Sequence, residues 1–568
     1  MKRILASILL STFAAASVLA GVPVRAVILR VQFKDVQFVI DETVTEALAD
    51  SASAYFSEQL DSPVKFELGP VVTLKQDLSY YGRNSSTRRD EFIYKAVMEA
   101  CLESDDALDF SHYDADADGH VDNVLLLTAG QSEAEGAGDD FIWPQMNYLS
   151  EWSTAFALDG KRIDCFSITT ETAGLRILCH EYAHSLGLMD LYDTDGNASG
   201  GTAHGLWGSL SLMERGDIKR SSLPQNFSAV ELDHLGLGTC IPLEAGQYTL
   251  KPLGRGRNYL KLPSDIEGEC FLFECREQAG WDAGTACSGL VVYHVDKSAN
   301  DAGYSSYYKK NLTAAERWYY NQVNCRPDAE CASVVPANPI ASGVSEVSFP
   351  QAGIDRLDTG SNEAFRWRSG AAVPFLLADI SANADGSVSF KAIKPLDILD
   401  TDVYQDAVIL NWEPSEAIGQ ISGCEVAWCE QSSDEWIRKD AHGHSFTIEG
   451  LKPGTGYKAA VSVTAADGHV YSATVSFSTR QYRPGSRPFI CIPDSQRNPD
   501  GSFKPSARLP LRVSNVPDAV EVRWFSGVKR ISAGEDGYFI LNGDCTIRAE
   551  ITNPDGSRDI LVKEVTTR

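Results

Sequence analysis

A pair of histidines with a glutamate beside the first is the part of this sequence best suited to chemistry. His180, Glu181 and His184 form a His-Glu-x-x-His string. Histidines four residues apart project from the same face of a helix, one turn apart, so both imidazoles can bind one zinc ion. The glutamate lies beside that ion and can take a proton from an attacking water molecule. This spacing predicts a catalytic zinc site.

The residues that follow the histidine pair fit the same site. Gly187 comes three residues after His184 and is the residue type that ends a helix in a left-handed conformation. Asp190, ten residues after His180, can then return as a third, oxygen ligand and leave a fourth position open for water. Most other residues of 175–188 are apolar, which predicts a buried helix with the metal at the floor of a cleft.

A second candidate cation site is an acidic loop. Asp114, Asp116 and Asp118 alternate along the chain, and Gly119 follows at the sixth position, as at the start of an EF-hand calcium loop. The glutamate of the twelfth position is missing, and Asp122 would serve instead. Calcium would hold these crowded carboxylates together and stiffen the loop. The alternative is an acidic turn that is simply solvated.

Hydrophobic patterns place both candidate sites on one α/β unit. The predicted elements are strands at 24–33, 64–74, 121–128 and 162–169, a helix at 43–60, and a helix at 86–102 that Ser86 caps. The zinc-binding helix follows the last of these strands. This order predicts an α/β sandwich in which the metal helix packs under a sheet.

The 568 residues exceed what one hydrophobic core can hold, so we expect several domains. We place the catalytic domain at 21–239. Short strands dominate 240–394, which we interpret as a β-rich extension packed against the catalytic domain. The predicted fold class is therefore multidomain, with an α/β unit that carries the metal site, this extension and two β-sandwich domains.

The two sandwiches are predicted from the last third of the chain. A strand that ends at Trp412 and a turn that resembles the tyrosine corner at Tyr457 predict a fibronectin type III-like domain at 395–480. A short linker at 480–487 follows. Alternating strands then predict an immunoglobulin-like domain at 488–568. A disulfide between Cys491 and Cys545 would bridge its two sheets.

The first residues predict export. Lys2 and Arg3 precede an apolar run at 4–19, and small residues close that run, as in a secretory signal peptide. We expect 1–20 to be this signal and the protein to be secreted or periplasmic. The sequence has no other apolar stretch of membrane-spanning length, so we expect no transmembrane segment. The net charge of −28 argues against nucleic acid as a partner.

The extended string from His180 to Asp193, HEYAHSLGLMDLYD, resembles the immune inhibitor A family of secreted bacterial zinc metallopeptidases. Shorter segments between about 24 and 390 resemble later parts of the family in the same order. The resemblance implies a metzincin-like fold, Asp190 as third zinc ligand, and Met213 in a structural turn beneath the metal. It also implies protein or peptide substrates.

We therefore predict a zinc endopeptidase in which Glu181 is the general base. Tyr192 can steady the oxyanion or simply pack beside the site. Two alternatives stay open. A peptidase of another class would take its third ligand from Glu214 or Glu231. An exported binding or adhesion protein would carry an inactive protease domain, and its sandwiches would hold a surface, a glycan or a protein.

Overall fold

The computed structural model divides into two compact units, one of residues up to 356 with 378–391 and the other of 357–377 with 392–568. The predicted signal peptide lies outside the described residues, and so does most of the predicted linker at 480–487. The residues that the structure describes are 24–86, 88–215, 223–433, 435–481, 487–491, 498, 502–516, 520–533 and 538–568.

The first part of the first unit is built on a five-stranded sheet. The strands of this part of the chain are β1 Val24–Gln32, β2 Val64–Thr73, β3 His120–Val121, β4 Val124–Thr128, β5 Gln145–Tyr148, β6 Ala157–Leu158, β7 Lys161–Ile163 and β8 Cys165–Thr170, of which β3, β7 and β6 form a second, smaller sheet. Its helices are α1 Glu42–Leu60, α2 Leu78–Gly82, α3 Ile93–Ser104, α4 Gly174–Ser185 and α5 Ala229–Leu235. The sheet order is β2-β1-β4-β8-β5, in which only the edge strand β5 is antiparallel to its neighbour.

Alternation along β1 explains the layers on this sheet. Ala26 and Ile28 point into a core that α1 and α4 cover, whereas Val27 and Leu29 point into a core that α3 covers. Successive side chains of a strand face opposite sides, so an almost wholly apolar strand must be covered on both faces. The helix that carries the two histidines is therefore packed against the sheet and cannot shift freely.

Predicted element boundaries are wrong in three places, the first being the strand expected at 121–128, which is divided between β3 and β4 in two different sheets. The third helix begins at Ile93 and not at Ser86, because the chain before it turns at Asp90, whose φ is +47° and whose side chain is buried. The strand expected at 162–169 is two strands, β7 and β8. The first of them pairs with β3 in a separate small sheet.

The rest of the first unit is a β-rich region. Its elements are β9 Thr239–Pro242, β10 Gly246–Leu250, β11 Asn258–Pro263, β12 Glu269–Arg276, β13 Gly289–Asp296, β14 Asp301–Ser305, β15 Lys310–Thr313, α6 Ala314–Tyr319, β16 Ala332–Val334, β17 Leu376–Ala382 and β18 Val388–Ile393. Strands β16-β13-β12-β11-β9 form its main sheet. The hairpin β14-β15 and α6 lie in the irregular stretch after β13, to which the sequence pattern assigns no element.

The second unit contains two groups of strands. The first is β19 Leu396–Val403, β20 Ala407–Pro414, β21 Ile421–Glu430, β22 Ile437–Asp440, β23 Ser445–Glu449, β24 Gly456–Ala465 and β25 Val470–Ser478. They form the sheets β19-β20-β23 and β22-β21-β24-β25, around a buried Trp412. Tyr457 Oη accepts a hydrogen bond from Lys452 N at 2.9 Å, which is the bond of a tyrosine corner.

The second group is β26 Phe489–Ile490, β27 Arg508–Pro510, β28 Val513–Ser514, β29 Glu521–Ser526, β30 Lys529–Ile531, β31 Tyr538–Ile540, β32 Cys545–Thr552 and β33 Arg558–Val565. Strands β30-β29-β32-β33 form its largest sheet. The expected disulfide is absent, because Cys491 and Cys545 are both free thiols. Across the described part of the chain, every helix is too short or too polar to cross a membrane.

Candidate metal centre

Helix α4 and the turn after it bring the predicted zinc ligands together. The helix buries Leu178, Tyr182 and Ala183 in the core under the sheet, which fixes its rotation. Its opposite face carries the two histidines. Gly187 follows with φ +96°, a conformation that costs a residue with a side chain energy, and the chain reverses there as the sequence predicts. Asp190 returns to the helix and is buried.

Three ligand atoms converge at one point. Asp190 Oδ1 lies 3.1 Å from His180 Nε2 and 3.4 Å from His184 Nε2. The two imidazole rings stand nearly perpendicular, with their centroids 4.9 Å apart. These three side chains form a group whose ligand atoms all lie within 4.8 Å of one another.

The other nitrogen of each ring shows where the protons lie. His180 Nδ1 is 3.0 Å from the carbonyl oxygen of Leu212, and His184 Nδ1 is 2.8 Å from that of Leu188. A carbonyl can only accept, so each Nδ1 must donate. In the neutral rings, both Nε2 atoms therefore present a lone pair towards a carboxylate oxygen that also only accepts. A cation between them resolves this conflict, and two imidazoles with one carboxylate suit zinc.

The pKa values of His184 and Asp190 in the metal-free protein reflect the same conflict between facing acceptor atoms. Burial alone would lower the pKa of His184, but the charge and hydrogen bond of Asp190 raise it to about 9. Burial would raise the pKa of Asp190, yet the two histidines hold it well below its usual range. Without a metal, a proton on His184 takes the place of the cation. The residues present therefore fit a zinc ion.

Glu181 lies beside this group in a buried position. Burial raises the pKa of its carboxyl group, while the neighbouring histidines and the backbone N–H of Met146 oppose that shift. Met146 belongs to the edge strand β5. Glu181 thus lies between the histidines and the edge strand of the sheet.

Residues 51–236 match the family model described as immune inhibitor A peptidase M6, catalytic domain, and 394–478 match the fibronectin type III domain model. The chain carries a peptidase M6 catalytic domain. The resemblance stated from the sequence is confirmed. A match to the immune inhibitor A of Bacillus thuringiensis subsp. alesti is 28% identical over 125 residues, which are 18% of this chain and 18% of that protein. The match therefore spans less than a fifth of that relative's length.

Two solved structures are each similar to a part of this chain. A redesigned β-sandwich protein is 16% identical, over 17% of this chain and 98% of that one, with a TM-score of 0.15. The FN5 domain of Drosophila Lar is 20% identical, over 15% of this chain and 91% of that one, with a TM-score of 0.13. These low scores add nothing to the function.

The segment around Met213 contacts the ligand group through its backbone carbonyls. Leu212 O holds His180, and Met213 O accepts a hydrogen bond from Leu191 N at 2.9 Å, so this segment contacts both the helix and the returning turn. Arg176 of α4 donates to the carbonyl oxygens of Leu212 and Glu214. Met213 itself is fully buried. The sequence pattern did not predict the contribution of Arg176 or of the Leu212 carbonyl.

The two glutamates of the rival ligand set are engaged elsewhere. Glu231 accepts hydrogen bonds from Ser211 Oγ and from the backbone N–H groups of Met213 and Ser228. Glu214 accepts from the backbone of Leu206. Both carboxylates therefore stabilise loops of the M6 domain. Tyr192 stacks on His180 with ring centroids 6.3 Å apart, beside the ligand group.

The acidic loop is only partly assembled as predicted. Asp114, Asp116 and Asp118 form a group of oxygens within 4.8 Å of one another, but Asp122 does not belong to it. Its Oδ2 instead accepts a hydrogen bond from Ala115 N at 3.1 Å, and burial raises its pKa to about 7. Lys161 Nζ lies 2.6 Å from Asp114 Oδ2, so a cation of the protein already occupies one side of the loop.

Proposed function

We propose that this protein is an exported zinc endopeptidase that hydrolyses peptide bonds in protein substrates. The convergence of two imidazole lone pairs and one carboxylate oxygen carries the proposal, because no arrangement of neutral groups satisfies all three atoms. The match to a peptidase M6 catalytic domain supports the reaction class. His180, His184 and Asp190 would hold a zinc ion, which would supply a Lewis acid and lower the pKa of bound water.

Glu181 is the proposed general base. Its burial raises its pKa, so its carboxylate accepts a proton from the attacking water more readily than a solvated glutamate does. The same oxygen can return that proton to the leaving amine. The N–H of Met146 steadies the carboxylate in its ionised form. No side chain has to form a covalent bond to the substrate in this mechanism.

The remaining parts of the proposal concern location and binding. The predicted signal peptide supports secretion or a periplasmic location. In this proposal, the fibronectin type III domain and the strands after it bind a surface, a glycan or a protein and so keep the enzyme near its substrates. A metzincin-like arrangement is supported by the antiparallel edge strand beside the His-Glu-x-x-His helix. The alternative, a binding protein with an inactive protease domain, is disfavoured because Glu181 is present and buried at the metal group.

Calcium in the acidic loop is a second, separate proposal. The group formed by Asp114, Asp116 and Asp118 supports it, since carboxylate oxygens are the ligands that calcium prefers. Lys161 opposes it. The proposed peptidase mechanism does not depend on calcium.

Zinc analysis combined with digestion of casein or gelatin tests the proposed function. The purified protein should contain one zinc ion and should lose activity with a chelator. Glu181→Gln keeps the shape of the side chain but removes the base, so turnover should fall by about 10²- to 10⁴-fold while zinc stays bound.

Glu46→Gln is a matched control, because Glu46 is exposed on α1 far from the ligands in sequence, and it should retain full activity. Undiminished proteolysis by Glu181→Gln would show that the base is misassigned. A zinc-loaded wild type without peptidase activity would favour the binding-protein alternative.

A further inference from the structure

The third metal ligand is held by a residue from the β-rich region, far outside the matched M6 segment. Asn321 Nδ2 donates to Asp190 Oδ2 at 2.7 Å, and Asn321 Oδ1 accepts from Asp190 N at the same distance. The side-chain amide of Asn321 is thus hydrogen-bonded to both the carboxylate and the backbone of Asp190. Asn321 follows α6, and it lies 131 residues from Asp190 along the chain.

The two oxygens of Asp190 have different partners. Oδ1 faces the two histidines, whereas Oδ2 is bonded to Asn321. A carboxylate can rotate about its Cβ–Cγ bond, so a bond to one oxygen fixes the direction in which the other presents its lone pairs. Hydrogen bonds of this kind orient metal ligands and strengthen metal binding.

Asn321 is itself held in place. Its φ is +53°, a left-handed conformation that asparagine tolerates better than most residues. Its carbonyl oxygen accepts a hydrogen bond from Thr194 Oγ1 at 3.1 Å. The side chain therefore approaches Asp190 from a backbone that is anchored to the chain just beyond the ligand.

The same region contacts one end of the ligand turn directly and the other end through His234 of α5. Asn324 Nδ2 donates to Leu191 O at 2.7 Å. At the other end, His234 Nε2 lies 3.1 Å from Gly187 O, and Lys297 Nζ lies 2.9 Å from His234 Nδ1. Because an ammonium group only donates, Nδ1 accepts and Nε2 carries the proton that Gly187 O receives.

We propose that Asn321 is a positioning residue of the metal site, and that residues 297–324 are a required part of the peptidase although the family match ends at 236. This inference rests on the proposed zinc site. Asn321 touches neither the metal nor the substrate, and it acts through Asp190. Its loss should weaken metal binding without unfolding the apo protein.

Zinc affinity, measured by competition with a chromogenic chelator, tests this role together with thermal unfolding of the apo protein. Asn321→Gly removes both hydrogen bonds and keeps the positive φ. We expect its zinc affinity to fall by about 10- to 100-fold. The control is Asn311→Ala, since Asn311 donates to Asp301 Oδ2 at 2.7 Å in the same region but touches no ligand. Its zinc affinity should equal that of the wild type.

Cobalt absorption separates positioning from general stability. The visible spectrum of the Co²⁺-substituted protein reports the ligand set, so Asn321→Gly should change it and Asn311→Ala should not. Asn321→Asp keeps the shape and the tolerance of positive φ but lacks the donor, so it should fold and should also change the spectrum. Unchanged affinity and spectrum in both Asn321 variants would overturn the inference. A wild type that binds no zinc would instead overturn the proposed function.

Discussion

The His-Glu-x-x-His site and the acidic loop are both predicted cation sites, yet their local chemistry differs. At the first, Asp190 Oδ1 and two histidine Nε2 atoms face one another, and the Nδ1 donors are directed at backbone carbonyls. In the loop, by contrast, backbone N–H groups of Asp118 and Gly119 donate to Asp114, and Lys161 binds it as well. The first site needs a cation, whereas the second is largely satisfied by the protein.

This difference shows why a motif of ligand-type residues is weaker evidence than the direction of their lone pairs. Aspartates in turns commonly accept hydrogen bonds from the backbone of neighbouring residues, which removes the oxygens that a metal would use. In the buried imidazoles of His180 and His184, Nδ1 already donates to a backbone carbonyl. No backbone N–H group of the described residues occupies the lone pair of Nε2 in the same way. The comparison predicts that variants at the two sites respond differently to metals.

The largest effect is expected at Asp190. Asp190→Ala removes one of the proposed zinc ligands, each of which contributes roughly 3 kcal/mol of the total binding free energy, so zinc affinity should fall on the order of 100-fold. Asp116→Ala removes a carboxylate of the acidic loop and should leave zinc affinity unchanged. Equilibrium dialysis with zinc quantification measures both. Retention of wild-type zinc affinity by Asp190→Ala would mean that the third ligand is misassigned.

The buried carboxylate of Asp90, which lies outside both sites, sharpens the comparison because its hydrogen-bond donors are a backbone N–H and a side-chain amide and not histidines. Trp143 N and Gln145 Nε2 donate to it, but burial dominates and raises its pKa to about 8. The unfolded chain has the ordinary lower pKa, so between about pH 4 and pH 8 the folded protein binds more protons than the unfolded one. The contribution of Asp90 to stability is therefore lost as pH rises through this window.

Asp90→Asn abolishes this titration. Relative to the wild type, its free energy of unfolding should rise with pH by up to about 1.4 kcal/mol per pH unit, or about 2–3 kcal/mol between pH 5 and pH 7. Urea unfolding followed by tryptophan fluorescence at several pH values measures the difference. Parallel pH profiles of the two proteins would show that Asp90 is ionised in the folded state.

The smallest effect is expected at Lys161. Lys161→Met removes the ammonium group beside Asp114, so the acidic loop should bind calcium more tightly than in the wild type. The melting temperature should then rise more on addition of calcium, with a stabilisation of about 1 kcal/mol. Lys310→Met is the control, since Lys310 pairs with Glu316 outside the loop. An equal calcium response in all three proteins would show that Lys161 does not oppose calcium binding in the acidic loop.

The sequence by itself determined the parts of this protein that depend on local spacing. Two histidines four residues apart lie on one helix face whatever surrounds them, and Gly187 ends the helix because a left-handed turn favours glycine. The apolar pattern of 24–33 and the turn at Tyr457 are local in the same way. These signals sufficed for the peptidase M6 domain, the fibronectin type III domain and the convergence of His180, His184 and Asp190.

Only the tertiary structure decided how those ligands are held. The Leu212 carbonyl and Asn321 reach the site across 32 and 131 residues of chain, and neither carries a sequence pattern that marks it. Asp122 was expected among the calcium ligands but accepts a hydrogen bond from Ala115 instead. A hydrogen bond between distant residues depends on packing, and packing reflects the sum of many contacts that no short segment encodes.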